Sequence, residues 1–247
     1  MQFANGTGGP ERSPIFQSPP AVLALIAGLA LIHGVLQYAG EDWQVWSLYA
    51  LAFIPARFGS EPFPMIAGSQ VWTFLTYALL HGGWTHLLFN SLWLLIFGTV
   101  VARYLGPARF LLLSALSAIA GAFVTLLLHW GQVYVMIGAS GAVSGLMAAA
   151  VPIMYGRSRL RAGWPSGDSL TGQPLRLPEL LRNRNALIFT AVWLVITLLS
   201  GTTDIAGNAL VGTANIAWEA HIGGFIAGLA GFYLLQRGLD ARLKPLC

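Results

Sequence analysis

The chain has 247 residues, of which 56% are hydrophobic and 9% charged, with a formal net charge of +4. Soluble domains carry roughly 25% charged residues, so this composition excludes a water-facing globular surface and makes the bilayer the expected solvent. The basic residues fall in loops between apolar runs, where cytoplasmic placement and anionic headgroups account for them without nucleic acid.

Residues 1–20 are polar and rich in proline and glycine, without the basic, apolar and small-residue succession of a cleavable leader, and are expected to form a disordered cytoplasmic tail. Apolar spans follow near 21–37, 84–102, 108–129, 138–155, 186–200 and 218–236. Each approaches or reaches the roughly 20 residues that a crossing helix needs. They predict an all-α, polytopic membrane domain over 21–237, a bundle of six transmembrane helices, followed by a cytoplasmic tail at 238–247. An even count puts both ends on one side. Arg12, Arg103, Arg109, Arg157, Arg159, Arg161, Arg176, Arg182, Arg184, Arg237, Arg242 and Lys244 then share that side, leaving Arg57 opposite. That asymmetry marks both termini as cytoplasmic.

On the far side, the connection 40–80 carries Trp43, Trp46, Tyr49, Phe53, Phe58 and Trp72, aromatics suited to headgroup depth, and is expected to lie in the outer interface. The cytoplasmic loop 156–185 holds Pro165, Pro174 and Pro178 with several glycines and serines, and reads as irregular. The single cysteine, Cys247, excludes an intrachain disulfide.

Polar side chains inside a membrane need a partner, a wet cavity or a function. The candidates are His81, His86 and Asn90 around the second span, Ser140 and Ser144 in the fourth, and His221 near the start of the sixth. In Gly138-Ala139-Ser140-Gly141, glycines leave the hydroxyl uncrowded, and a helix start offers free N–H groups to an oxyanion. Taken alone, the motif fits helix packing better, since Ser140, Gly141, Ser144, Gly145 and Ala148 form a strip of small residues. His221 shifts that balance. It shares a helix face with Gly224 and Gly228, so two smooth strips can bring an imidazole beside a hydroxyl, a general base beside a nucleophile. His86 and Asn90, four apart, suit either oxyanion donation or an interhelical hydrogen-bonded pair. His81 reads as structural, and His33 and His129 have no companions in the sequence. Glu219, two residues from His221, points to another side of the helix. A zinc protease needs HExxH, which is absent, and Asp42, Asp168, Asp204 and Asp240 fall outside the spans, against an aspartyl mechanism.

From Trp72 to Phe232 the chain resembles the rhomboid family of intramembrane serine proteases. Three motifs carry the resemblance in order: His81-Gly82-Gly83-Trp84-Thr85-His86-Leu87-Leu88-Phe89-Asn90, Gly138-Ala139-Ser140-Gly141 and Ala220-His221-Ile222-Gly223-Gly224. The resemblance implies a six-span bundle of rhomboid type in which Ser140 is nucleophile and His221 base. It implies an oxyanion hole made by the Ser140 N–H with the His86 and Asn90 side chains. Gly141, Gly145, Gly224 and Gly228 pack around the dyad. The expected activity is endopeptidase cleavage, through an acyl-enzyme, of membrane proteins at or near the outer end of a transmembrane helix. The expected setting is a bacterial inner membrane, with the site opening to the outer face. The expected partners are transmembrane substrates and lipids, with no nucleic acid, no cofactor and no metal. Two positions depart from the family pattern: Ser144 stands where an aromatic often supports the imidazole, and Trp72-Thr73 replaces a common Trp-Arg pair. The alternatives are a transporter or channel using the same buried polar groups, and a rhomboid relative that binds membrane proteins without cutting them.

Overall fold

Apolar helices have few side chains with which to cap themselves, so proline and glycine mark most of the boundaries here. In the computed structural model, which describes residues 18–164, 167–202 and 217–243, helix α1 (Pro20–Ala39) starts on Pro20 and stops at Gly40, whose φ of 98° favours glycine. Helix α2 (Glu41–Leu51) opens with Glu41 and Asp42 against its positive end. A 3₁₀ turn (Pro55–Phe58) and α3 (Ser69–Thr76) complete the connection to α4 (Trp84–Leu105), which contains a π turn at Leu94–Gly98. The chain reverses at Gly106, φ 84°, into α5 (Pro107–Leu128), again begun by proline. Then come α6 (Ser140–Met154), strands β1 (Arg157–Trp164) and β2 (Gly167–Gln173), and a short α7 (Leu177–Leu180). Helices α8 (Arg184–Thr202) and α9 (Trp218–Leu243) close the order. The tails expected at the two ends lie outside the described residues over 1–17 and 244–247, and α9 continues to Leu243, past the expected boundary at 237.

The six apolar spans correspond to α1, α4, α5, α6, α8 and α9. Of these, α1, α4 and α5 are by themselves long and apolar enough to cross a bilayer. Helix α6 is not. Its 15 residues rise only about 22 Å, against a hydrocarbon core of about 30 Å. Helix α6 alone therefore cannot reach across the full thickness of the hydrocarbon core.

The segment 156–185, expected as irregular, is corrected by the structure. Strands β1 and β2 pair antiparallel, with Arg157 opposite Gln173 and Leu160 opposite Leu170, and a register shift falls between Ala162 and Trp164. Gly163 sits at that shift and Pro174 follows the last paired residue. Both mark edges of structure, where glycine and proline are tolerated in sheets, and not its absence.

Helix α6 is buried at every position from Gly141 to Ile153. A helix apolar all round belongs at the centre of a bundle. Helices α5 and α9 pack on it through residues without side-chain bulk. A methyl group on Gly224 would collide with the Gly141 carbonyl, one on Gly228 with the Gly145 backbone, and one on Gly145 with the Ser117 side chain of α5. At Gly121 of α5 an added Cβ would lie 2.7 Å from the Ala220 carbonyl oxygen. In lipid, where apolar burial does not press helices together, such close fitting is what holds them.

Above α6 the connection 40–80 is pinned at several points. The buried Arg57 guanidinium donates from Nη1 to the Ala52 carbonyl at 2.8 Å and from Nη2 to the Tyr49 carbonyl at 2.6 Å. Trp72 donates to the Ala50 carbonyl at 2.7 Å. Trp43, Trp46 and Tyr49 remain exposed, as aromatics at a membrane surface do.

Two stability predictions follow from this packing. Gly228→Leu should cost at least the 1–3 kcal/mol typical of overpacking, seen as a lower midpoint of thermal unfolding in detergent. Arg57→Ala should remove two charge-assisted bonds, each worth about 1.5–3 kcal/mol net, and expose the 40–80 connection to limited proteolysis before the helices unfold.

Candidate active site

Because α4, α6 and α9 are the second, fourth and sixth spans, their N-terminal ends lie on one side of the bundle. His86 and Asn90 sit in the first two turns of α4, Ser140 is the first residue of α6, and His221 lies in the first turn of α9. The turn into Ser140 is held from three sides. Phe53 and Met136 exchange backbone hydrogen bonds at 3.1 and 2.9 Å, and the Gly138 N–H donates to the Tyr77 carbonyl at 3.0 Å. Gly138 itself has φ 114°, and a Cβ there would stand 2.7 Å from both Cε1 and Nε2 of His86. Only glycine meets both demands. Tyr77, fully buried, donates its hydroxyl to the Ala118 carbonyl at 2.9 Å, and burial pushes its phenol pKa upward.

Ser140, His221, Asn90 and Ser144 line one cavity of about 350 Å³. Apart from Thr197, its remaining walls are apolar, among them Trp93 and Phe97 from α4, Met147 from α6, and Phe189 and Trp193 from α8. Trp193 stacks on Phe225 of α9 with ring centres 4.9 Å apart, and Phe189 meets Phe97 edge-on at 6.2 Å. Those aromatic contacts seat α8 on the bundle while Val192, Val195 and Ile196 stay more than half exposed. Nothing in the periodicity of the fifth span singles out Phe189 or Trp193, since the whole span is apolar.

Among the described residues, the buried His221 Nε2 has no hydrogen-bond partner, so Ser140 Oγ and this nitrogen share the cavity without a bond between them. The Ser144 hydroxyl donates to the Ser140 carbonyl at 2.8 Å, one turn back along its own helix. It therefore lends no support to the imidazole. The expected oxyanion pair divides. Asn90 reaches the cavity but donates its amide to the His86 carbonyl at 3.0 Å. His86 is not among the cavity-lining residues; its ring lies against Gly138, and its Nδ1 accepts a long bond from the Gly82 N–H at 3.4 Å. In the neutral tautomer this leaves the proton on Nε2, beside the turn that leads to Ser140.

The other histidines have distinct settings. His81 packs edge-on against His86 at 5.1 Å; burial, together with the neighbouring His86 and His33, pushes its pKa down to about 3, so it is neutral. His33, buried in α1, meets Trp84 edge-on at 4.7 Å. The expectation that His129 lacks a companion is overturned: its Nε2 lies 2.5 Å from Glu219 Oε1, and its ring stacks on Tyr134 at 4.3 Å. The sequence hides this pair because its members are 90 residues apart and meet only where the end of α5 reaches the start of α9. Glu219 does point away from His221, as the offset of two requires.

A family model described as the Rhomboid domain matches residues 68–238. The "Rhomboid protease GlpG" of Serratia proteamaculans (strain 568) is 25% identical over 214 residues, 85% of this chain and 60% of the relative. That of Yersinia pestis (strain Pestoides F) is 28% identical over 217 residues, 86% of this chain and 62% of the relative. YdcA of Bacillus subtilis (strain 168), whose name places it provisionally among the rhomboid proteases, is 42% identical over 95 residues, 38% of this chain and 47% of the relative. The chain thus spans less than two thirds of the length of each of these relatives. With a domain match over well more than half its length, the chain belongs to the rhomboid family.

Proposed function

We propose that this protein is an intramembrane serine endopeptidase working through a Ser140–His221 dyad. The observation that carries the proposal is the common cavity: a hydroxyl and an imidazole far apart in the chain open onto one space beside Asn90. The Ser140 hydroxyl attacks a peptide carbonyl while His221 takes its proton. The tetrahedral intermediate's oxyanion accepts hydrogen bonds from the Ser140 N–H, from the Asn90 side chain and from His86, whose ring turns from its place against Gly138 toward Ser140 when substrate binds. Collapse expels the amine, which takes the proton back from His221 and leaves an acyl-enzyme. Water, activated by the same imidazole, attacks the acyl group, and Ser140 leaves as the free hydroxyl. Hydrogen bonds of this kind are often long without substrate and tighten in the Michaelis complex, consistent with an unpartnered His221 Nε2.

The substrates are transmembrane proteins, cut at or near the outer end of a spanning helix. The shortness of α6 supports a reaction at that depth, because it leaves room for water above Ser140. The thinly seated α8 supports lateral entry between α4 and α8. We place the protein in a bacterial inner membrane with cytoplasmic termini and the site open to the outer face, as the distribution of its arginines supports.

In liposomes carrying a transmembrane reporter, Ser140→Ala and His221→Ala should each abolish cleavage while the unfolding midpoint stays near that of the parent. A serine-directed fluorophosphonate should label the parent at Ser140 and spare Ser140→Ala. Undiminished cleavage by either variant would overturn the dyad. His86→Ala and Asn90→Ala should each lower turnover by about 10²–10³-fold, the usual loss when one oxyanion donor is removed; losses within twofold would return both residues to a packing role.

A further inference from the structure

We propose that Glu219 is a positioning residue for the reaction: paired with His129, it fixes the rotation of the outer turn of α9 and thereby aims His221 into the cavity. The inference rests on the proposed Ser140–His221 dyad.

Helix α9 begins at Trp218, so His221 lies within the turn whose N–H groups have no intrahelical acceptor, where helices fray first. Packing settles how closely this turn approaches its neighbours. Ala220 sits over Gly121, where a Cβ would come within 2.7 Å of its carbonyl oxygen, and near Gly141, where the corresponding distance is 3.4 Å. Smooth glycine surfaces, however, offer little resistance to rotation about the helix axis. Glu219 supplies it. Its carboxylate is 2% exposed and lies 2.5 Å from His129 Nε2, while His129 Nδ1 is 3.1 Å from Gln132 Oε1. The phenol of Tyr134 lies beside the same carboxylate and stacks on the His129 ring.

Two helix ends of opposite polarity meet here. His129 is the residue at the C-terminal end of α5, and Glu219 is in the first turn of α9, so their side-chain contact ties the two ends together. The pair therefore locks in one orientation. Glu219 and His221 are two residues apart, about 200° around the helix, so any rotation that parts Glu219 from His129 carries His221 through the same angle. With side-chain atoms at about 5–6 Å from the axis, a rotation of about 10° moves the imidazole about 1 Å, a displacement able to cost about 10²-fold in rate. Since Ser144 does not brace the imidazole, this tie acts where no aromatic does.

The experiment uses the full-length protein in liposomes, reading kcat and KM on a transmembrane reporter, the rate of fluorophosphonate labelling at Ser140, and the unfolding midpoint. Glu219→Ala and His129→Ala should each lower kcat and the labelling rate at least about tenfold with KM within about twofold, and the double variant should be no worse than either. Glu219→Gln, which keeps an oxygen able to accept from His129, should recover activity to within about threefold of the parent. Tyr233→Phe, which loses the 2.8 Å bond to the Leu175 carbonyl at the other end of α9, supplies the control for stability alone. It should lower the midpoint and leave labelling unchanged. Unchanged kcat in Glu219→Ala, or losses that merely follow the midpoint through the Tyr233 variant, overturn the positioning role. A parent protein that neither labels nor cleaves overturns the dyad itself, and the positioning role with it.

Discussion

Contact between the backbones of α6 and α9 governs this molecule. Gly141 faces Gly224 and Gly145 faces Gly228 so closely that no Cβ fits at either joint. Each glycine in a helix interior costs about 1 kcal/mol relative to alanine in water. In lipid the loss is offset by contact that larger residues cannot make, since the surrounding chains are as apolar as leucine and supply no squeezing force. Once the two helices touch along that line, the first residue of one and the first turn of the other share an end. The chemistry proposed for Ser140 and His221 is a consequence of where these glycines stand.

The second determinant is the length of α6. At about 22 Å it leaves part of the bilayer's depth to irregular backbone, which lipid does not tolerate unless protein supplies the hydrogen bonds. The structure supplies them from the connection 40–80. Phe53 pairs with Met136, the Tyr77 carbonyl receives the Gly138 N–H, and Arg57 satisfies carbonyls within the connection itself. That connection is therefore part of the site's framework, although it carries none of the proposed reacting groups.

The cavity's chemistry follows from a combination of few polar groups and many apolar ones. Ser144 turns its hydroxyl back onto its own helix, and the cavity it lines is walled by aromatic side chains of α4 and α8. Among the described residues the His221 Nε2 has no hydrogen-bond partner, so the imidazole's aim depends on the helix that carries it. In the proposed positioning role, the contact between His129 and Glu219 gives that helix a fixed point near His221.

Composition, span lengths and the small-residue strips identified the helical membrane bundle and two helices able to pack closely, because each is a property of local chain: apolar length, helical period and side-chain size. The division of His86 from Asn90 was not legible, since both share one face and only the approach of Gly138 draws the imidazole aside. The hairpin at 157–173 was hidden by glycines and a proline that mark strand edges as readily as loops. The pairing of His129 with Glu219 lay further still from view, because it spans 90 residues and depends on two helix ends meeting. The sequence by itself determined the apolar spans and which of them carry the few polar side chains; the tertiary structure alone decided which of those face one another, because distance and rotation between helices are set by packing and not by any period along the chain.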